Sequence, residues 1–241
     1  MTDRRAGAGG WRVATLGCVA STMDEARLRA SAGAPDRSVI RALEQTGGRG
    51  RLGRAWTSPP GNVYATAILR PTVPTVRASE LSLVAAVAVA DTVSGCAGPV
   101  RLKWPNDVLL GGAKVAGVLL EAMTAGTTLS AILVGIGINV ASRPELPDRA
   151  TARIEGADAD TVFGHLLSAL AARLDEWERN GLEAIRAAWL ERGPALGSQL
   201  TVGQGGEQLH GAFAGLEAGG ALRLELADGS LRRIASGEIL A

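Results

Sequence analysis

Apolar and polar positions along the chain recur with two periods, near two and near 3.6 residues, and these divide it into strands and helices. Trp11 to Val19 predicts a first strand. Ala26, Leu28 and Ala30 then recur at helical spacing, after Ser21-Thr22-Met23-Asp24-Glu25, in which Thr22 and Glu25 fit a capping box. Gly33-Ala34-Pro35 stops that helix. Val39 to Leu43 is apolar enough for a core strand, and Gly47-Gly48 break it. Asn62 to Leu69, rich in β-formers, predicts a strand closed by Arg70-Pro71, and Ser79 to Val93 predicts an apolar helix. Val100 to Leu110 reads as one strand interrupted at Pro105. Gly111-Gly112 suits a hairpin turn, so Lys114 to Glu121 returns antiparallel. Thr127 to Val140 gives two further apolar stretches. Asp160 reads as the cap of a long helix from Thr161 to Glu178, whose Val162, Phe163, Leu166, Leu167, Leu170, Leu174 and Trp177 share a face. A shorter helix follows from Leu182 to Leu190.

After Gly193-Pro194 the pattern changes to short alternating strands with glycine turns: Leu200 to Val202, Gln208 to Phe213, Ala221 to Leu226 and Leu231 to Ile234. That predicts a small C-terminal SH3-like β-barrel. Strands outnumber helices and hairpins join them, so the fold class is α+β, with a mixed, largely antiparallel sheet and helices packed on it. The expected divisions are a flexible N-terminus over 1–10, a catalytic-type domain over 11–193 and the barrel over 194–241.

Composition narrows the setting. The chain has 241 residues, 46% hydrophobic and 20% charged, enough for one large domain or a large and a small one. A formal charge of +1 gives no whole-chain attraction to nucleic acid or membrane, so local clusters of charge carry the information. Cys18 and Cys96 have no metal-ligand spacing and read as small core residues of a reduced, cytoplasmic protein; no metal site is expected. Met1 to Gly10 has no apolar core, unlike a secretory signal. Leu81 to Val93 holds Ser82 and Asp91 and is too short to span a bilayer, so it reads as a buried helix.

The chemistry concentrates in Glu44-Gln45-Thr46-Gly47-Gly48-Arg49-Gly50-Arg51-Leu52-Gly53-Arg54-Ala55-Trp56. Arg49, Arg51 and Arg54 alternate with glycines that leave the backbone open, a composition suited to wrapping phosphate or carboxylate. The plain alternative is a solvated loop, disfavoured because no local partner offsets the cost of ordering three arginines. Gly48 to Gly53 also spells G-x-G-x-x-G, the dinucleotide fingerprint. That motif needs a helix directly after the glycines, and Trp56-Thr57-Ser58-Pro59-Pro60-Gly61 cannot be one. Two further polar clusters sit at strand ends: Lys103-Trp104-Pro105-Asn106-Asp107 and Lys114, which the hairpin brings beside Asn106 and Asp107. A structural Lys114–Asp107 ion pair is an equal contender there, although a proline is a poor choice for pure scaffolding. The two histidines, His165 and His210, fall in the long helix and the small barrel and read as structural. No nucleophile stands out, so the site suits chemistry that stabilises charge on oxygens, as in attack of a carboxylate on an α-phosphate.

EQTGGRGRLGRAWTSPPGN, KWPNDVLLGGAKVAGVLLE and GIGINV, with Ser21-Thr22 ahead of them, resemble the signature blocks of the biotin protein ligases from about Trp11 to the C-terminus. The resemblance implies that Ser21, Thr22 and Gln45 bind the ureido ring of biotin. It implies that Arg49, Gly50, Arg51 and Lys114 surround the valeryl carboxylate and α-phosphate, with Gly117 letting the ligand approach the backbone. Arg54, Trp56, Asn106 and Asn139, with Arg49, Arg51 and Lys114, would serve ATP or the adenylate. Lys114 and Arg49 would be catalytic, and Asp107 would orient the incoming lysine amine. The implied substrates are biotin and ATP with Mg²⁺, and the implied partner is a biotin carboxyl carrier domain. No nucleic acid or membrane partner is implied, and the pattern admits a homodimer. Met23, at a biotin-contacting position, stands where many members carry Asn, and Leu52 replaces a common arginine. Only ten residues precede Trp11, too few for a DNA-binding domain, so the expectation is the ligase-only class. The rivals are a lipoate or octanoate ligase, which lacks a ureido ring to bind, and a non-catalytic biotin or nucleotide sensor. The loop is expected to be mobile without ligand and to order over the adenylate.

Overall fold

The computed structural model describes residues 2–5, 9–74, 77–126, 128–204 and 206–240. Strands β1 (Thr2–Arg5) and β2 (Arg12–Val19) lead into helix α1 (Thr22–Ser31), then β3 (Ser38–Gln45), β4 (Val63–Leu69) and helix α2 (Glu80–Ala97). Strands β5 (Val100–Lys103), β6 (Asp107–Leu110), β7 (Ala113–Ala125) and β8 (Thr128–Ile138) follow, then helices α3 (Ala159–Asn180) and α4 (Glu183–Arg192). The chain closes with β9 (Gln199–Gln204), β10 (Glu207–Leu216), β11 (Leu222–Glu225), β12 (Leu231–Ile234) and β13 (Glu238–Ile239).

The first eight strands form one sheet in the order β1-β2-β3-β4-β8-β7-β6-β5. Only β2 and β3 run parallel, and a parallel neighbour needs a crossover, which α1 supplies. The sheet is therefore mixed and largely antiparallel, as the pattern of hairpins requires. Helix α1 covers one face, where Ala26 and Ala30 meet Ile40, Ile68 and Leu133. The other face carries α2, whose Val84, Val87, Val89 and Val93 are fully buried between the sheet and α3. Helix α2 has the length and apolarity of a membrane span, but it is the core helix of this fold. Strands β9 to β13 make a five-stranded antiparallel sheet in the order β12-β11-β10-β9-β13, where the small barrel is expected. Its Val202, Phe213, Leu222 and Leu224 join the same apolar cluster as α2 to α4.

Several local expectations change. Thr2–Arg5, within the lead-in expected to be flexible, pairs antiparallel with β2; Met1 and residues 6–8 lie outside the described residues. Val100 to Leu110 is two strands, because the chain reverses at Trp104-Pro105-Asn106 and Val100 pairs with Leu110. Thr128 to Ile138 is one strand, since apolar residues on a doubly covered sheet need no break; Thr127 lies outside the described residues. Asp158, not Asp160, caps α3, accepting from the Asp160 and Thr161 amides at 2.9 Å each, while Asp160 pairs with Arg41 on β3 at 2.5 Å. Cys18 is exposed and Cys96 half-buried, so neither is a core residue.

Candidate active site

Several strand ends and the start of α1 converge on a cavity of about 570 Å³. Every candidate residue from the sequence lines it: Ser21, Thr22, Met23, Gln45, Arg49, Gly50, Arg51, Arg54, Trp56, Asn106, Asp107, Lys114, Gly117 and Asn139. Their positions in the cavity differ.

At one end, β2 hands over to α1. Ser21 is the N-cap, and its hydroxyl accepts from the Met23 amide at 3.2 Å, because the first amides of a helix lack partners within it. The cap falls on Ser21 rather than on Thr22, which leaves the Thr22 side chain free for Gln45 at the end of β3. Gln45 Oε1 accepts from the Thr22 amide at 2.8 Å and from its hydroxyl at 3.1 Å. Gln45 Nε2 donates to Ser58 Oγ at 3.0 Å, and Ser58 donates to the Trp56 carbonyl at 2.8 Å. Met23 is buried against Gly135, where a Cβ would come within 2.8 Å of its Cε.

The arginine loop folds back on itself. Gly50 N–H donates to the Arg54 carbonyl at 2.7 Å, and Trp56 N–H donates to Gly48 at 2.9 Å. Leu52, at φ 55°, and Gly53, at φ 72°, make the turn. Leu52 is 79% exposed and touches no part of the site's chemistry. The arginines do have partners, which the local sequence could not reveal. Arg49 grips Asp24 of α1 at 2.9 and 2.5 Å. Arg51 donates to the Gly237 carbonyl at 2.8 Å, and Arg54 holds the Glu238 carboxylate at two points, both at the end of the C-terminal sheet. The hydrogen bond from Arg49 holds the Asp24 carboxyl below its usual range, and Arg54 does the same to Glu238. Burial lowers the Arg51 guanidinium from its ordinary value.

Lys114 is the second residue of β7, and its Nζ lies 2.6 Å from Asp107 Oδ1 and 5.4 Å from the centre of the Trp56 ring. The ion pair raised as the plain alternative therefore exists, and it forms within the cavity wall. Gly117 and Gly137 pair across β7 and β8, leaving a flat floor. Trp56 lies on it, with its Nε1 buried and without a hydrogen-bond partner. A Cβ on Gly137 would come within 2.5 Å of that nitrogen. Asn106 and Asn139 use their side-chain amides on backbone: Asn106 donates to Val118 O, and Asn139 donates to Ala152 O at 2.9 Å. They shape the wall through the segments they hold. His165 and His210 lie elsewhere, near Cys96 and Thr201.

Sequence reasoning missed Asp24, Glu238 and Thr66, and the cavity-lining Asp148 and Arg149. Asp24 reads as an ordinary acidic residue at a helix start, and Glu238 is remote in sequence. Among the described residues no group of three or more His, Cys, Asp or Glu side chains is placed to hold a metal ion.

A family model described as the biotin/lipoate A/B protein ligase family matches residues 16–139, and one described as the biotin protein ligase C-terminal domain matches residues 195–240. The chain belongs to the biotin/lipoate A/B protein ligase family. A biotin–[acetyl-CoA-carboxylase] ligase of Paracoccus denitrificans is 38% identical over 217 residues, covering 85% of this chain and 90% of that one. A ligase of the same name from Mycobacterium tuberculosis is 33% identical over 241 residues, covering 94% and 88%. The solved biotin protein ligase of Aquifex aeolicus in complex with biotin and ATP superposes with a TM-score of 0.78 at 28% identity, covering 94% of this chain and 97% of that one.

Proposed function

We propose that this protein is a biotin protein ligase that activates biotin with ATP and transfers it to a lysine of a biotin carboxyl carrier domain. The observation that carries this is one cavity lined both by Ser21, Thr22 and Gln45 and by Arg49, Arg51 and Lys114. A hydrogen-bonding pocket for a neutral ring is thereby joined to a cationic zone for an acyl phosphate.

In the first step a carboxylate oxygen of biotin attacks the α-phosphorus of ATP, forming the acyl–phosphate bond as the bond to pyrophosphate breaks. Arg49, Arg51 and Lys114 would offset the charge that gathers on the oxygens. The ligand's anions would take over Arg49 from Asp24, so one counter-ion replaces another. In the second step the carrier's lysine amine attacks the acyl carbon, and AMP leaves. Asp107, held beside Lys114, would orient that amine. Mg²⁺ would enter with the nucleotide: Asp107, Asp148 and Glu238 each already face a cation, so the phosphates would supply most of its charge. The division at Gly193-Pro194 is part of this proposal, supported by the start of β9 at Gln199. So is a cytoplasmic setting, supported by unpaired Cys18 and Cys96.

The test is to mix the protein with biotin, Mg-ATP and a carrier domain. The expected result is a biotinyl mass increase on the carrier lysine and biotin-dependent release of pyrophosphate. Modification with lipoate instead of biotin would reassign the substrate, and ligand binding without pyrophosphate release would make the protein a sensor.

A further inference from the structure

Thr66 is fully buried on β4, in a strand otherwise made of Val63, Tyr64, Ala65, Ala67, Ile68 and Leu69. Its hydroxyl makes one hydrogen bond, 2.9 Å from Thr22 Oγ. Hydroxyls can donate or accept, so the direction of that bond must come from its surroundings. Here the surroundings fix it. The Thr22 amide N–H can only donate, so the Gln45 atom facing it at 2.8 Å is the oxygen. A carbonyl oxygen can only accept, so the Thr22 hydroxyl, 3.1 Å away, donates to it. The remaining bond then has one polarity: Thr66 donates to Thr22.

We propose that Thr66 is a positioning residue that, together with Gln45, holds the Thr22 hydroxyl as an acceptor toward the ligand, and so sets the pocket's preference for a cyclic urea. The proposal rests on the ligase reading above. With its proton committed to Gln45 and one lone pair to Thr66, Thr22 Oγ has a lone pair left for the cavity and takes an N–H. Gln45 Nε2 gives one proton to Ser58 and keeps the other. Ser21 Oγ accepts from the Met23 amide and keeps its own proton. The pocket therefore offers one acceptor and two donors. A ring with an N–H beside a C=O satisfies it, whereas a dithiolane or alkyl chain leaves all three without partners. In a site built to hydrogen-bond, such unmatched groups are the main source of discrimination. Thr66 reaches the ligand through Thr22, and the same chain of bonds continues through Ser58 to the Trp56 carbonyl.

Replacing Thr66 by Val keeps the shape and removes the donor. The Thr66→Val enzyme is expected to show a KM for biotin raised about tenfold in pyrophosphate exchange, with kcat and the KM for ATP within about twofold of wild type. Thr66→Ser is expected to restore the biotin KM. In a Thr22→Val background, adding Thr66→Val is expected to change nothing further, because the two act through one bond. A Thr66→Val enzyme that loses melting temperature but keeps its biotin KM overturns the proposal, as does a full second loss in the double variant. A wild-type protein that shows no biotin-dependent exchange overturns the ligase reading, and the proposal with it.

Discussion

Gly137 lies directly opposite Gly117 across β7 and β8, and the indole of Trp56 rests on the bare backbone between them. A Cβ at Gly137 overlaps that ring, and one at Gly117 comes within 3.3 Å of Lys114 Cε and 3.4 Å of Trp56 Cζ3. Gly137→Ala places a methyl 2.5 Å from Trp56 Nε1. Overpacking of this kind costs about 1–3 kcal/mol. Trp56 is only half-buried and can retreat, so the loss falls on the site rather than on the fold. ATP affinity is expected to drop about tenfold with little change in melting temperature, measured by calorimetric titration beside thermal unfolding. Unchanged ATP affinity would remove Trp56 from the nucleotide side.

Lys114→Ala removes the ammonium from the cationic zone and strands Asp107. The expected loss in biotin-dependent pyrophosphate exchange is about 10²–10³-fold, equivalent to about 3–4 kcal/mol of transition-state stabilisation. A decrease confined to the biotin KM would make Lys114 a binding group only. Comparison with Asp107→Asn separates the pair: that variant is expected to slow transfer to the carrier more than formation of the adenylate, read by single-turnover kinetics of the two steps.

Asp24 and Arg49 clasp the loop to α1. Both side chains are about two-fifths exposed, so the pair contributes about 0.5–1 kcal/mol, and breaking it is expected to raise loop opening two- to fivefold. Asp24→Asn is expected to speed tryptic cleavage after Arg49 by that factor, with protection regained on adding biotin and ATP. Equal cleavage of wild type and variant would show that the loop is held by other contacts.

The same carboxyls predict a pH response. Asp24 and Glu238 titrate below their ordinary values, held down first by hydrogen bonds from Arg49 and Arg54. Depressed carboxyl values stabilise the folded form above the unfolded pKa, and that contribution fades as pH falls through the folded value. Neither clasp should respond between pH 6 and 8, and both should weaken in acid. Carboxyl carbon shifts followed by NMR are expected to give midpoints below the ordinary values of about 3.9 and 4.3. A midpoint at or above them would mean that the clasp is open in solution.

Away from the site, Glu80 is buried and receives both the Trp177 indole N–H at 2.6 Å and the Arg77 guanidinium. Glu80→Ala leaves the indole donor without a partner. The expected loss is about 1–3 kcal/mol in urea unfolding, with activity kept in the folded fraction.

How much of this could be read from residues alone follows the range of each interaction. Strand and helix positions came from periodicity, which burial on a shared sheet enforces. Even so, the reversal at Trp104-Pro105-Asn106 hid inside what looked like one strand, because both arms are apolar. The helix cap moved from Asp160 to Asp158 because two aspartates compete and only geometry decides between them. The arginine loop was legible because glycine and arginine together have few other uses, whereas Ser21, Thr22, Gln45, Trp56, Asn106 and Asn139 were reached through the family resemblance. The partners of the arginines were not legible: Asp24 is 25 residues from Arg49 and Glu238 is 184 from Arg54, and nothing local marks either. Thr66 was invisible for a further reason. A lone hydroxyl in an apolar strand looks like any β-former until the bond to Thr22 is seen.

The clasps on Arg49 and Arg54 have a consequence for the medium in which the protein works. Asp24 and Glu238 already balance two of the loop's three guanidinium charges. Dissolved ions would screen the attraction for the newcomer and the hold of the resident carboxylates together. Occupancy should therefore vary with ionic strength far less steeply than three unguarded guanidinium groups would dictate.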